Sequence, residues 1–384
     1  KNRKDYKMKY GVGIDVSKGK STVAILSIEG EVIEMPFDIN HDVEDLEKLD
    51  KKLQKFSKED LKIVLEQTGT YHLPILTYLL DKEYCVIAEN ALKIKKYLDR
   101  SLRKAKTDKK DSLKLAEYAC DNWYKLKVNF IEEEKYKELR FLSRQYFSLN
   151  SMKVQQKVDF SDLTDMLFPG YYQLLEECNF VVGLKIFEKF SDPKIIRKKK
   201  LETFLNDVEK IAQKIGQQRA GRNLAIKVYE LAKKSVPSCP SNSSTQLILN
   251  KRVVALINLI ETTNEIIAKM NEIAKNMDEY KEVRNMKGVG DRLAPLLIAE
   301  IGDIRRFKNA GSLIAYAGID SPPYQSGKYE ATNRHISKRG NKYLRKTGFE
   351  VMQSIKSFCR VDCEVYDYIV KKETEGKCKK SVEF

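Results

Sequence analysis

Short apolar runs open the chain. GVGIDV (11–16), STVAILSI (21–28) and EVIEMPF (31–37) are rich in β-branched residues, with turns at Ser17–Lys20 and Glu29–Gly30. Strands so closely spaced predict a meander of antiparallel hairpins. The pattern then alternates: a helix over 42–56, a strand LKIVLEQ over 61–67, a helix over 71–81, a strand CVIAEN over 85–90 and further helix. Three antiparallel strands followed by βαβα predict a mixed sheet with helices on its faces.

From about Ile131 to Tyr280 the strand pattern vanishes. Over 245–280, Leu249, Val253, Leu256, Ile260, Thr263, Ile267, Met270, Ala274 and Met277 step by four and three in turn. That spacing marks a coiled-coil seam, either between copies of the chain or inside a bundle, since the pattern does not identify the partner. A second stripe, Leu259, Ile266 and Ile273, allows partners on two sides, and a helix over 131–157 is a candidate partner within the chain. SVPSCPSNSS (235–244) is the clearest break. The reading divides the chain into 1–130, 131–280 and 281–384.

Composition narrows the partners. Among 384 residues, 71 Lys+Arg against 55 Asp+Glu leave a net charge of +16, which favours a polyanion, most often nucleic acid. A Lys-rich proteome would raise the charge equally, so clustering must decide. No apolar run reaches membrane-spanning length, and the polar N-terminus KNRKDYKMKY predicts no signal peptide. Seven scattered cysteines and three histidines do not give zinc spacing, and reduced cytosolic thiols are the better reading.

The first domain carries candidate chemistry. GIDVSKGKST is not a P-loop, because Gly19-Lys20-Ser21 would need a glycine where Ile14 stands, and Val16 breaks a dinucleotide fingerprint. What remains is Asp15 in the middle of an apolar strand, costly unless solvent, a partner or a metal compensates it. Glu66 ends a second apolar strand, and Asp108 and Asp111 in KTDKKD share a helix face at i, i+3. Two strand acids and two helix acids are a ligand inventory for paired Mg²⁺ or Mn²⁺ ions in phosphoryl transfer. Taken singly, Asp108 could be a helix N-cap and Glu66 a strand-end acid facing water. Lys93, Lys95, Lys96, Arg100, Arg103, Lys104, Lys106, Lys109 and Lys110 crowd residues 93–110 beside these acids, where phosphates would lie.

In the third stretch, Gly288 and Gly290 in MKGVGDRLAPLLIAEIGDI resemble half of a helix-hairpin-helix, a backbone phosphate site or simply a tight turn. Ser326 follows in a loop bounded by Pro322, Pro323 and Gly327, and then come Lys328, Arg334, His335, Lys338, Arg339, Lys342, Arg345 and Lys346. A loop serine is usually only that. Facing dense cations, it could attack a phosphodiester. No His–Asp partner supports acyl transfer.

The strand bearing Asp15, Glu66 in LEQTGTYH and the KTDKKD helix resemble the RuvC/RNase H-like DEDD domain of IS110-family transposases, also called bridge-RNA-guided recombinases. The passage with the SG dipeptide (326–327) and ISKRGN (336–341) resembles that family's C-terminal transposase domain. The resemblance covers roughly 10–130 and 281–355, in the family's order. It implies an α/β RNase H-like (RuvC-like) mixed-sheet N-terminal domain, a central helical coiled coil and a mostly α C-terminal transposase domain. It further implies that Asp15, Glu66, Asp108 and Asp111 bind catalytic Mg²⁺ or Mn²⁺ and that Ser326 is the covalent nucleophile on DNA. Ser321 and Ser337 are weaker candidates. The expected partners are donor and target DNA, a non-coding bridge RNA and further copies of the chain (dimer or tetramer), in a prokaryotic cytoplasm at the nucleoid.

Three other readings stay open. A RuvC-like junction endonuclease would leave Ser326 incidental. A non-catalytic RNA/DNA-binding assembly protein would need neither Asp15 nor Mg²⁺. Actin/hexokinase-like kinases share the general sheet but need several glycine-rich phosphate loops, and this chain has only 18 glycines.

Overall fold

The computed structural model describes residues 8–67, 69–98, 107–126, 133–176, 180–321, 325–326, 329–330, 335–359 and 361–375. The chain divides into two compact units, Lys1–Ile131 and Glu132–Phe384.

In the first unit the alternation of side chains decides the layers. β1 (Tyr10–Ser17), β2 (Lys20–Ser27) and β3 (Val32–Asn40) form the expected antiparallel meander, closed at Ser17↔Lys20 over Lys18–Gly19. Then come α1 (Val43–Leu53), β4 (Leu61–Glu66), α2 (Leu73–Asp81), β5 (Val86–Glu89), α3 (Ala91–Leu98) and α4 (Asp108–Asp121). The sheet order is β3-β2-β1-β4-β5, with β4 parallel to both β1 and β5. Val12, Ile14 and Val16 point to one face and are buried with Ile63, Leu65, Leu49, Leu53, Ile75 and Leu79, so α1 and α2 cover it. Val64 and Ile87 point to the other, against Leu115, Tyr118 and Ala119 of α4.

The glycines of GVGIDV explain how close α4 comes. A Cβ on Gly13 would stand 2.1 Å from the Ser112 carbonyl oxygen and 2.2 Å from the Ala116 nitrogen. Only glycine fits there, and the helix is pinned to the centre of the sheet.

The second unit is built on α5 (Glu134–Leu167), a 34-residue helix. After it come α6 (Tyr171–Glu176), α7 (Phe180–Lys189), α8 (Pro193–Arg197), α9 (Leu201–Lys214), α10 (Gln218–Lys234) and α11 (Ser243–Ala274). Asn242 and Thr245 form a capping box that starts α11 directly after the Pro/Ser-rich break. The helix stops at Ala274 rather than running to 280, and Met277 turns back into the core. The stripe on α11 is buried inside the chain. Leu249, Val253 and Leu256 join Phe160, Phe187 and Leu224, while Met270, Ala274 and Met277 join Tyr136, Leu139 and Leu296. Arg252 meets Asp159, Lys153 meets Thr263 and Tyr136 meets Glu279, so α5 and α11 run antiparallel. Of the two alternatives for that seam, the intrachain one is occupied.

The unit ends with α12 (Tyr280–Asn285), α13 (Leu293–Ile301), α14 (Ala310–Ala317), the two-residue strands β6 (Gln325–Ser326) and β7 (Tyr329–Glu330), α15 (Lys342–Phe358) and α16 (Glu364–Thr374). Leu296 and Ile298 of α13 share a core with α5, so the central helices and the C-terminal segment pack as one body. Among the described residues no helix is long and apolar enough to cross a membrane.

Candidate active site

A row of polar side chains crosses the first sheet. Asp15 pairs with Thr22, Thr22 pairs with Asp38, and Glu66 pairs with Glu89. Ile14↔Leu65 is the last β1–β4 pair, which makes Asp15 and Glu66 the next positions on neighbouring strands. Paired residues share a face of a sheet, and alternation puts this row on the α4 side, opposite Ile14 and Leu65.

Helix α4 supplies the other two acids. Gly11 lies against Ala116 and Cys120, and Gly13 lies against Ser112 and Ala116, so α4 runs antiparallel to β1. Two residues further on, Asp15 reaches the first turn of α4, which holds Asp108 and Asp111. Thr107, not Asp108, is the N-cap, its side chain accepting from Lys110 N. The capping alternative for Asp108 is thereby excluded. Asp111 is 8% exposed, while Asp108 is open to solvent. Both sit at a helix N-terminus, where the dipole favours negative charge.

The outer members of the row are held by lysines. Lys20 Nζ lies 2.8 Å from Asp38 Oδ2, and Thr22 donates to Asp38 Oδ1 at 2.8 Å. The bond from Lys20 holds the Asp38 carboxyl below the ordinary aspartate value, and that same pairing, helped by the charge of Asp108, raises Lys20. At the other end Lys93 donates to Glu89 at 2.6 Å, and Tyr118 donates to the same oxygen at 3.2 Å. Burial pulls Lys93 down, but Glu89 and Tyr118 outweigh it and leave it above the ordinary lysine value. Sequence reasoning missed Asp38 and Glu89. Glu89 ends an apolar strand, the signal that singled out Glu66, whereas Asp38 lies inside the largely exposed β3 and carries no such signal.

The donor set Asp15, Glu66, Asp108 and Asp111 is made of hard carboxylate oxygens, the kind that Mg²⁺ and Mn²⁺ take. The chemistry fits such an ion. Among the described residues, however, no three His, Cys, Asp or Glu side chains are gathered into a ligand group. The four acids share one corner without converging.

Of the basic residues beside this corner, Lys93, Lys95 and Lys96 are exposed on α3, and Lys109 and Lys110 on α4. Arg100, Arg103, Lys104 and Lys106 lie outside the described residues.

In the second unit, Ser326 pairs with Tyr329 through the backbone of the β6–β7 hairpin. Lys328 and Arg334 lie outside the described residues. His335, Lys338, Arg339, Lys342 and Lys346 are exposed. Arg345 donates to the Ala317 carbonyl at 2.7 Å and so closes the end of α14. Ser337 donates to Asp320 and receives a bond from Arg339 N, the behaviour of a loop tie rather than an attacking group. Gly288 has φ +80, and a Cβ there would meet Ile355 Cγ1 at 2.5 Å, so packing on α15 requires it. The Gly290 carbonyl accepts from Leu293 N and Ala294 N, which occupies two amides of the first turn of α13.

Sequence reasoning also missed Glu300, whose carboxylate is fully buried. Ser143 donates to it at 2.7 Å, Arg144 at 2.9 Å and Asn341 Nδ2 at 2.8 Å. Asn341 also caps α15 at Tyr343 N and Leu344 N, so one acid joins α5, α13 and α15.

The family to which this sheet and helical unit belong makes the chain a DNA-processing transposase. The IS110 DEDD transposase model matches residues 12–169, and the "Transposase IS116/IS110/IS902 family" model matches 280–366. The chain belongs to the IS110 family of transposases. The "Insertion element IS116 uncharacterized 44.8 kDa protein" of Streptomyces clavuligerus is 22% identical over 95% of this chain and 88% of its own length. The "Insertion element IS110 uncharacterized 43.6 kDa protein" of Streptomyces coelicolor is 21% identical over 75% of this chain and 70% of its own. The "Transposase for insertion sequence element IS1111A" of Coxiella burnetii is 32% identical over 26% of this chain and 27% of its own.

Proposed function

We propose that this transposase cuts and rejoins DNA by transesterification, with Ser326 as nucleophile and Asp15, Glu66, Asp108 and Asp111 as holders of Mg²⁺ or Mn²⁺. The observation that carries the reading is the alignment of Asp15 and Glu66 on the α4 face, at the turn that bears Asp108 and Asp111. A divalent ion held there would supply positive charge to the scissile phosphate.

Ser326 Oγ forms a bond to phosphorus as the bond from phosphorus to a sugar oxygen breaks. The serine proton leaves to solvent base, and the departing sugar oxygen takes one up. A sugar hydroxyl of the second strand end then attacks the phosphoserine, which forms the new phosphodiester and returns the serine hydroxyl. One phosphate ester is exchanged for another at each step, so no nucleotide is consumed, in keeping with a sequence that has no P-loop. Lys93, Lys95 and Lys96 at one site, and Lys338, Arg339 and Lys342 at the other, hold the phosphate backbone.

The family resemblance adds a structured RNA that pairs with donor and target DNA, and more than one copy of the chain in the complex. Each active site then draws Asp15 and Ser326 from different protomers. The decisive test is a covalent protein–DNA adduct that disappears in Ser326→Ala. Its survival would favour the junction-nuclease alternative, and unchanged transposition in Asp15→Ala would favour the non-catalytic one. Mixing Asp15→Ala with Ser326→Ala protomers restores activity if sites form in trans. Sequencing the nucleic acid that copurifies tests the guide: one defined small RNA supports it, and bulk RNA counts against it.

A further inference from the structure

Arg305 and Arg306 follow Asp303 in the turn Ile304–Arg306 between α13 and α14. They are neighbours with opposite fates. Arg305 takes the Asp303 carboxylate with both arms, Nε to Oδ1 at 2.9 Å and Nη2 to Oδ2 at 2.8 Å. Arg306 lies on aromatic rings instead, its guanidinium 4.7 Å from the centroid of Phe307 and 4.5 Å from that of Tyr316. Its Nε and Nη2 are buried, and among the described residues neither has a hydrogen-bond partner.

Those two atoms form one edge of the guanidinium. Their N–H bonds run parallel and make the fork that takes two oxygens of one carboxylate or phosphate. An unpaired guanidinium fork away from water is costly and calls for an occupant.

The fork's place in the unit is defined by Tyr316. The Tyr316 carbonyl accepts from Asn341 N at 2.6 Å, and its hydroxyl accepts from Asn341 Nδ2 at 3.4 Å. Lys338 N donates to the Gly318 carbonyl at 2.9 Å, and Ser337 N to the Asp320 carbonyl at 2.8 Å. Residues 316–320 and 337–341 are thus laced together as the neck of the segment that carries Ser326. Arg306 stacks on one side of that neck, the exposed Lys338 and Arg339 belong to it, and the exposed Lys342 follows directly as the first residue of α15. A cationic neck draws phosphate rather than a further cation.

We propose that Arg306 binds a phosphodiester of DNA through its Nε/Nη2 fork, beside the phosphoryl transfer at Ser326. The inference rests on the reading of Ser326 as nucleophile. Stacking on Tyr316 and Phe307 fixes the plane of the fork, so its orientation is set before DNA arrives.

The test uses the full-length protein with Arg306→Leu, Arg306→Lys and Ser326→Ala. Two quantities are read: melting temperature with inorganic phosphate against chloride at equal ionic strength, and covalent adduct on DNA carrying the element's ends. Arg306→Leu should melt at or above the parent, because it removes an unpaired buried charge. Its melting should respond less to phosphate than the parent's. Adduct should fall roughly 100-fold or more, as when a charge-stabilising donor is lost. Arg306→Lys should not restore it, since an ammonium has no fork. The proposal is overturned if Arg306→Leu melts well below the parent and both respond equally to phosphate, for the fork is then filled from within the chain. Full adduct in Arg306→Lys overturns it too. If the parent forms no adduct, or Ser326→Ala keeps it, the serine reading fails, and phosphate-dependent melting still decides on Arg306.

Discussion

Gly13 and Ser112 set the distance between sheet and helix: a Cβ on Gly13 would stand 2.1 Å from the Ser112 carbonyl oxygen. That contact fixes where the first turn of α4, with Asp108 and Asp111, stands over Asp15. Gly13→Ala should therefore push α4 away, costing about 1–3 kcal/mol from overpacking alone. Thermal melting should show a drop of several degrees, with transposition lost as well. A variant that melts like the parent would mean that α4 does not bear on Gly13.

The carboxylates at this corner predict a metal dependence that needs no DNA. If these acids hold Mg²⁺ or Mn²⁺, either ion should raise the melting temperature of the folded protein by mass action. Asp15→Asn and Asp111→Asn should each abolish that rise while melting near the parent without metal, because fewer like charges face one another. Calorimetric scans with and without Mg²⁺ measure both. An equal Mg²⁺ shift in all three proteins would place the ion elsewhere.

The first unit was largely legible in the sequence because period-two alternation specifies both strand and face. GVGIDV announced a strand, and the same alternation puts Asp15 and its glycines opposite the apolar core. The helix limits were less legible. The 4/3 stripe of α11 named the buried positions but not the partner, since α5 and a second copy would bury the same residues. Glu300 and Arg306 were not legible at all. Glu300 lies within the apolar run LAPLLIAEI, and only the arrival of Arg144 and Asn341 from distant segments makes it an anchor. Arg305 and Arg306 read alike in sequence until Asp303 selects one of them.

Asp303 carries a pH dependence. Hydrogen bonds from Arg305 hold its carboxyl below the ordinary aspartate value, against the burial that pushes it up. A carboxyl depressed by folding adds stability that is complete above the unfolded-state value, near pH 4, and is lost as pH falls through the lower folded value. Melting temperature should be flat above about pH 5 and decline below it, less steeply in Asp303→Asn. Identical acid limbs for the two proteins would remove Asp303 from the explanation.

Glu300 and Arg144 make the strongest coupling expected in the second unit. Glu300 has no exposed surface, whereas the Arg144 side chain is 36% exposed and also stacks 3.8 Å from the Tyr343 ring centroid. Removing Arg144 leaves a buried carboxylate whose remaining side-chain donors among the described residues are Ser143 and Asn341, a loss of about 3 kcal/mol, the low end for a broken buried pair because Arg144 is partly hydrated. Asn341→Ala should cost about 1–3 kcal/mol by leaving the same oxygen short of a donor and α15 uncapped. In Glu300→Gln the acceptor survives for Ser143, but the charge that held Arg144 is gone. Arg144→Ala in that background should therefore cost at least about 1 kcal/mol less than in the parent. Urea denaturation of the four proteins gives this difference directly, and losses that add within about 0.5 kcal/mol would show that the two side chains act independently.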